Sequence, residues 1–155
     1  MEIPVTLFTK QTLLESQTKV ISMLNGAYAS EWLAYYQYWL GATLLGSGKL
    51  HDCLMEHARD ELKHAKKLAA RIIELGGIPI HNPNMWTDRS PCKYLTPTKD
   101  SSQLIKTNIV GEDCAIKVYT DLMAATKDSD SVTYALAKSI VFEEIEHKEE
   151  LEALR

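Results

Sequence analysis

The chain has 155 residues, of which 45% are apolar and 25% are charged, and its formal net charge at pH 7 is −4. These values are typical of a globular protein and argue against a disordered or fibrous chain. The negative charge argues against nucleic-acid binding, because affinity for phosphate needs a basic face or tail, and residues 1–11 form no basic tail. A chain of this length can bury one ordinary core, so we expect a single domain over residues 1–155.

The sequence has neither a stretch of 18 or more apolar residues nor a basic start followed by an apolar run. We therefore expect no membrane segment and a cytoplasmic location. The three cysteines are Cys53, Cys92 and Cys114. An odd number in a chain of this length does not resemble a disulfide framework, so composition alone favours reduced thiols.

Apolar residues recur at helical spacing over four long segments, whereas strand-like alternation is hard to find. Glycines at 46 and 48 separate the first two segments, and a second pair at 76 and 77 ends the second segment. The sequence Asp-Ser-Asp at 128–130 separates the last two. The predicted helices cover about Thr9–Leu45, Leu50–Leu75, Ser101–Lys127 and Ser131–Arg155.

The segment from Ile78 to Thr98 contains four prolines, which block regular helix and predict a long irregular connection. Short turns within each half predict two antiparallel helix pairs, and a connection of this length can run along a whole bundle. We therefore predict an all-α four-helix bundle with one long crossover between helices two and three. A plain up-and-down bundle with a loose middle loop is the alternative.

Two Glu-x-x-His motifs stand on the second and fourth predicted helices, at Glu61 and His64 and at Glu144 and His147. Residues three apart lie on the same face of a helix, one turn from each other. Each motif continues an apolar row of its helix, where a solvated charge is not expected. The alternative is a set of exposed charges, since the fourth helix is rich in glutamate.

Each motif has a lone glutamate on the preceding helix of its own pair. Glu31 precedes Glu61 by 30 positions, and Glu112 precedes Glu144 by 32. Glu31 stands among alanines and tyrosines on a helical net, and a buried carboxylate without a counter-charge costs several kcal/mol. The two halves therefore repeat one layout that calls for positive charge.

Two divalent cations would balance four carboxylates and two neutral imidazoles. Oxygen-rich sets with imidazole suit iron or manganese, and zinc can also occupy them. The residues alone therefore leave iron, manganese and zinc open for the two positions.

This layout resembles that of the ferritin-like di-iron carboxylate proteins, in which two helices each supply a Glu and two others each supply a Glu-x-x-His. The resemblance covers nearly the whole chain and implies a ferritin-like bundle with two iron ions per chain, for which manganese or zinc are possible substitutes. It implies that Glu61 and Glu144 are bridging carboxylates and that Glu31 and Glu112 are terminal carboxylates. It also implies that His64 and His147 each provide the nitrogen ligand of one iron.

Bacterioferritins give a similar pattern around these residues. As in them, a tyrosine follows the first lone glutamate by seven residues, here Tyr38, and Tyr119 likewise follows Glu112. Asn108 stands one turn before Glu112, so these three residues are candidate partners of the ligands. Leu62 occupies the position of the bacterioferritin haem-ligating methionine, so we expect no haem.

The sequence also ends after the fourth predicted helix, without the short fifth helix of larger ferritin shells. It thus resembles the Dps-like proteins with a bacterioferritin-type site, called thioferritins, which form dodecameric shells and oxidise iron with peroxide. Those proteins carry a cysteine in the crossover and another on helix three, positions that Cys92 and Cys114 match. The resemblance implies a redox or disulfide role. Cys114 lies about 200° around the helix from Glu112, which argues against metal ligation.

We therefore expect a ferroxidase that oxidises ferrous iron with hydrogen peroxide or oxygen, stores it in a homo-oligomeric shell and protects against oxidative stress. One alternative is a di-metal peroxidase or manganese-catalase-like enzyme that stores nothing. A second alternative is a non-catalytic, DNA-associated shell or helical interaction module.

Overall fold

The computed structural model describes the backbone of residues 5–155 and the side chains of residues 11–155. All regular structure in this part of the chain is helical, as predicted. The elements are α1 (Val5–Leu45), α2 (Lys49–Glu74), a 3₁₀ helix (Pro83–Met85), α3 (Trp86–Arg89), α4 (Ser101–Thr126) and α5 (Ser131–Ala153). Residues 1–11, which form no basic tail in the sequence, lie partly outside the described residues.

The four long helices pack as a bundle. Helix α1 lies along α2 and α4 lies along α5, and the two pairs meet through contacts of α1 with α4 and of α2 with α5. Gly46 and Gly48 both have positive φ, at 80° and 107°, a backbone conformation that favours glycine and permits the tight turn between α1 and α2. The ferritin-like plan of two helix pairs and one crossover is therefore confirmed.

The crossover holds two short helical elements that the sequence does not predict. Pro83 begins the 3₁₀ helix, and α3 follows at once and ends before Pro91. Proline is tolerated in the first turn of a helix, where its missing N–H has no helical partner to lose. Trp86 of α3 stacks on Trp32 of α1, with ring centroids 5.1 Å apart, and so attaches the crossover to the bundle.

Two apolar clusters fill the bundle, one toward each end. One cluster includes Leu24 of α1 and Ile140 of α5, and the other includes Leu54 of α2 and Leu151 of α5. On each long helix the lone glutamate or the Glu-x-x-His motif lies between the stretches that enter the two clusters. The predicted site residues are thus enclosed between two apolar layers.

A polar contact closes the end of the bundle where α2 stops and α5 starts. Asp130 caps α5 by accepting a hydrogen bond from the backbone N–H of Thr133 at 2.9 Å. The guanidinium of Arg71 donates from Nη2 to both carboxylate oxygens of Asp130, at 2.9 and 3.0 Å. This contact joins the two helix pairs. No helix among residues 5–155 is long and apolar enough to cross a membrane.

Replacing Asp130 with alanine should lower the free energy of unfolding by about 1–2 kcal/mol, because α5 loses its N-cap and Arg71 loses its partner. Urea denaturation of metal-free protein at one fixed protein concentration would measure this change. Asp128→Ala is the matched control, since Asp128 is exposed in the same turn. Equal effects of the two substitutions would contradict the assignment of the cap.

Candidate metal centre

The structure brings the six predicted ligand residues together at the middle of the bundle, and each is at most 5% exposed. They form two overlapping groups, in each of which one ligand atom per residue lies within 4.8 Å of all the others. Both groups contain Glu61 and Glu144. Glu31 and His64 complete the first, and Glu112 and His147 complete the second.

In the first group, the Nδ1 atom of His64 faces three carboxylates. It lies 3.2 Å from Oε2 of Glu61, 3.4 Å from Oε1 of Glu144 and 3.6 Å from Oε2 of Glu31. A single imidazole nitrogen and oxygens from three helices therefore surround one point.

The second group repeats this arrangement around Nδ1 of His147. That atom lies 3.2 Å from Oε2 of Glu144, 3.5 Å from Oε1 of Glu61 and 3.8 Å from Oε1 of Glu112. Glu61 thus turns Oε2 toward His64 and Oε1 toward His147. Glu144 turns Oε1 toward His64 and Oε2 toward His147. Each of these two carboxylates presents one oxygen to each half of the centre, as a bridging ligand must.

The electrostatics show how strongly the cluster needs positive charge. Burial, together with the negative charge of Glu61, raises the pKa of Glu31 well above its ordinary value. Burial and the charge of Glu144 do the same to the pKa of Glu112. Burial alone would lower the pKa of His147, but its contacts with Glu144 and Glu61 raise it to about 12. Burial and the neighbouring carboxylates thus favour protons on this cluster, and metal ions could replace them.

One buried atom bears directly on whether a cation fits. Oε1 of Glu144 is inaccessible to solvent and has no hydrogen-bond partner among the described residues. Leaving a buried polar oxygen unpaired is costly, and a cation between His64 and Glu144 would satisfy it. Four carboxylates and two imidazoles form a donor set that suits two ions of iron, manganese or zinc.

The two predicted tyrosines hold the terminal carboxylates in a crossed arrangement. The hydroxyl of Tyr38 on α1 donates to Oε1 of Glu112 on α4, and the hydroxyl of Tyr119 on α4 donates to Oε1 of Glu31 on α1. Both tyrosines are buried. Each tyrosine therefore orients the glutamate of the opposite helix, not the one seven residues before it.

Asn108 is buried near the centre but bonds to none of its glutamates. Its Oδ1 accepts a hydrogen bond from Nε2 of Gln37 at 2.8 Å, and its Nδ2 donates to the carbonyl oxygen of Leu104 at 2.9 Å. Gln37 in turn accepts from the backbone N–H of Leu95 at 2.8 Å. Asn108 thus helps attach the crossover to the bundle.

Two acidic residues that the sequence analysis missed orient the histidines from outside. Nε2 of His64 lies 2.9 Å from Oε2 of Glu143, and Nε2 of His147 lies 3.4 Å from Oδ2 of Asp60. A hydrogen bond at Nε2 leaves Nδ1 to face the carboxylates. Each acid directly precedes the glutamate of a Glu-x-x-His motif, a signal that is hard to separate from the many other charges on these helices.

Cys92 of the crossover and Cys114 of α4 form a disulfide, with an S–S distance of 2.09 Å. The expectation of reduced thiols from composition is therefore wrong for this pair, because the crossover brings together two cysteines that are 22 positions apart. Cys53 remains free. A cavity of ≈ 40 Å³ is lined by Glu31, Glu112 and Cys92, so one cysteine of the disulfide shares a cavity with two carboxylates of the centre.

Comparisons with known proteins agree with this architecture. A family model of the ferritin-like domain matches residues 21–155. The DNA protection during starvation protein of Pyrococcus furiosus is 31% identical over 141 residues, which cover 88% of this chain and 76% of that protein. The bacterioferritin of Rhodobacter capsulatus is 28% identical over 146 residues, which cover 90% of this chain and 84% of that protein.

Two solved structures are similar along most of their length. A dodecameric thioferritin, the bacterioferritin-related protein of Bacteroides fragilis, has a TM-score of 0.86 and 38% identity, covering 93% of this chain and 91% of that chain. The bacterioferritin of Desulfovibrio desulfuricans, which has a diiron site, has a TM-score of 0.79 and 30% identity, covering 90% of this chain and 80% of that chain. The resemblance inferred from the motifs is confirmed, and the chain belongs to the ferritin-like domain family.

Proposed function

We propose that this protein is a ferroxidase that binds two ferrous ions per chain at the six-residue centre and oxidises them. One observation carries the proposal: Glu61 and Glu144 each present one carboxylate oxygen to His64 and the other to His147. Two adjacent positions with shared carboxylates suit a pair of ions better than a single ion. The bacterioferritin relatives support a redox role for such a pair.

The protein residues have distinct roles in this proposal. Glu61 and Glu144 bridge, Glu31 with His64 holds one ion, and Glu112 with His147 holds the other. The two ferrous ions together supply two electrons, which reduce one hydrogen peroxide molecule to two water molecules with the uptake of two protons. Tyr38 and Tyr119 fix the terminal carboxylates through their hydroxyl groups, and the apolar clusters above and below exclude bulk water.

A small oxidant has room beside the centre. The cavity lined by Glu31 and Glu112 has a volume of ≈ 40 Å³, which is enough for a molecule of the size of water or hydrogen peroxide. We propose hydrogen peroxide as the preferred oxidant, as the resemblance to thioferritins implies, and oxygen as the other. No haem takes part in this proposal, because the aliphatic side chain of Leu62 offers no atom that could ligate haem iron.

Storage requires an assembly of chains, and we propose a dodecameric homo-oligomer. The thioferritin of Bacteroides fragilis, which shares 38% of its aligned residues with this chain, is dodecameric. The product ferric iron would be stored inside the shell, so that the protein removes ferrous iron and peroxide together and limits oxidative damage. We place this activity in the cytoplasm and assign residues 1–155 to one functional domain.

The same donor set also suits manganese, which supports one alternative: a di-metal peroxidase or manganese-catalase-like enzyme that removes peroxide without storing iron. The products separate the two functions, because a catalase releases oxygen and leaves no ferric iron. A DNA-associated shell has less support, since the net charge is −4 and only a relative's name points to DNA.

Metal-free protein loaded anaerobically with two ferrous ions per chain should oxidise them rapidly when peroxide is added, consuming one peroxide per two ions. Ferric absorbance and a count of bound iron would measure this. Glu61→Ala/Glu144→Ala should lower the rate to that of iron in buffer, because the shared oxygens are gone. The matched control is Glu56→Ala/Glu146→Ala, which removes an exposed glutamate from each of the same helices. A wild-type rate no faster than free iron would contradict the ferroxidase proposal.

Manganese(II) should stabilise the metal-free protein by binding the folded state, by about 2.7 kcal/mol at a concentration 100 times the Kd. Glu31→Gln/Glu112→Gln should abolish this stabilisation, because the amides keep the shape of the side chains and can accept from Tyr119 and Tyr38 but lack charge. Thermal unfolding with and without manganese would measure both effects. An equal rise in Tm for this variant would show that manganese binds elsewhere.

A further inference from the structure

A second cluster of metal-ligating side chains lies one helical turn from the six-residue centre. Cys53 and His57 face the same side of α2, and Glu150 of α5 lies opposite them. Nε2 of His57 is 2.8 Å from Oε2 of Glu150 and 3.5 Å from Sγ of Cys53. A thiol, an imidazole and a carboxylate thus converge on one point outside the six-residue centre.

His57 exists in only one half of the bundle. It stands four residues before Glu61, and the equivalent position before Glu144 is Ile140, an apolar residue of the core. The His57 ring is 1% exposed and stacks on His147 with ring centroids 4.0 Å apart. Its Nδ1 is buried and has no hydrogen-bond partner among the described residues. A buried polar ring in place of an aliphatic side chain needs a compensating interaction.

The spacing of Cys53 and His57 matches two ligands of a tetrahedral metal site. Typical Zn–S and Zn–N distances of about 2.3 and 2.05 Å put the sulfur and nitrogen about 3.6 Å apart at the tetrahedral angle. The observed Sγ–Nε2 distance is 3.5 Å. The same calculation puts nitrogen and carboxylate oxygen about 3.4 Å apart, so Glu150 would move outward by about 0.6 Å. Its side chain is 59% exposed and has room to do so.

We propose that Cys53, His57 and Glu150 bind a third divalent cation, chemically of the zinc class, separate from the two in the six-residue centre. Thiolate and imidazole ligands favour Zn²⁺ or Co²⁺ over Mn²⁺, and a water molecule would complete the tetrahedron on the exposed side. Burial raises the pKa of the Cys53 thiol to about 11, so the cation must displace a proton when it binds.

Ligation through Nε2 of His57 would also give its other nitrogen a role. That nitrogen, Nδ1, would then carry the proton, and metal-bound histidines typically donate this proton to a carboxylate or carbonyl. One ring nitrogen of His57 lies within 4.8 Å of a ligand oxygen of Glu112. The third site would therefore border the Glu112 and His147 half of the centre and leave the Glu31 and His64 half untouched.

Anaerobic titration of the full, metal-free protein with Co²⁺ tests this proposal independently of any oxidation of iron. Binding at the third site should give a thiolate-to-cobalt charge-transfer band in the near ultraviolet, whereas the six-residue centre contains no sulfur. Cys53 is the free cysteine, because Cys92 and Cys114 are paired in the disulfide. We expect three equivalents of Co²⁺ per chain, with the band tracking one of them.

Cys53→Ser and His57→Gln should each abolish the band and the third equivalent while leaving two equivalents bound. Glu149→Gln, which neutralises an exposed glutamate beside Glu150, should keep both. If His57→Gln fails to fold by circular dichroism, the half-buried Cys53→Ser decides the outcome alone. Saturation of the wild type at two equivalents without a near-ultraviolet band, or a band that survives Cys53→Ser, would overturn the proposal.

Discussion

The structure depends on the burial of four carboxylates and two imidazoles at the centre of a bundle that is otherwise packed with apolar side chains. Each ionised group taken out of water costs several kcal/mol unless opposite charge meets it. Burial accordingly raises the pKa of Glu31 and of Glu112 well above the ordinary value. Cations bound at the centre, as proposed, would offset this cost.

The surrounding residues hold this arrangement from every side. Tyr38 and Tyr119 cross between α1 and α4 to the terminal glutamates, and Asp60 and Glu143 cross between α2 and α5 to the histidines. Each of these contacts links the two helix pairs, so the geometry of the centre and the packing of the bundle depend on each other. His57 is the main departure from this two-fold pattern, and it makes the two halves of the centre inequivalent.

The clustering of the six candidate residues could be predicted from the sequence because short turns fix the register within each helix pair, and helical spacing fixes which face each residue occupies. What the sequence left open depends on how the two pairs dock. The partners of Tyr38 and Tyr119 lie on the opposite pair. The Cys92–Cys114 disulfide depends on the path of the crossover. The crossover has no regular spacing of apolar residues from which that path could be predicted. Asp60 and Glu143 look like ordinary surface acids until their distances to the histidines are known.

The most direct test of the central claim is an anomalous-difference map at the iron absorption edge, from crystals of metal-free protein soaked anaerobically with ferrous iron. Two adjacent peaks per chain are expected, one bound to Nδ1 of His64 and the other to Nδ1 of His147, with the carboxylates of Glu61 and Glu144 bound to both. A single peak between the histidines, or peaks only at exposed carboxylates, would contradict the account of a shared two-ion centre.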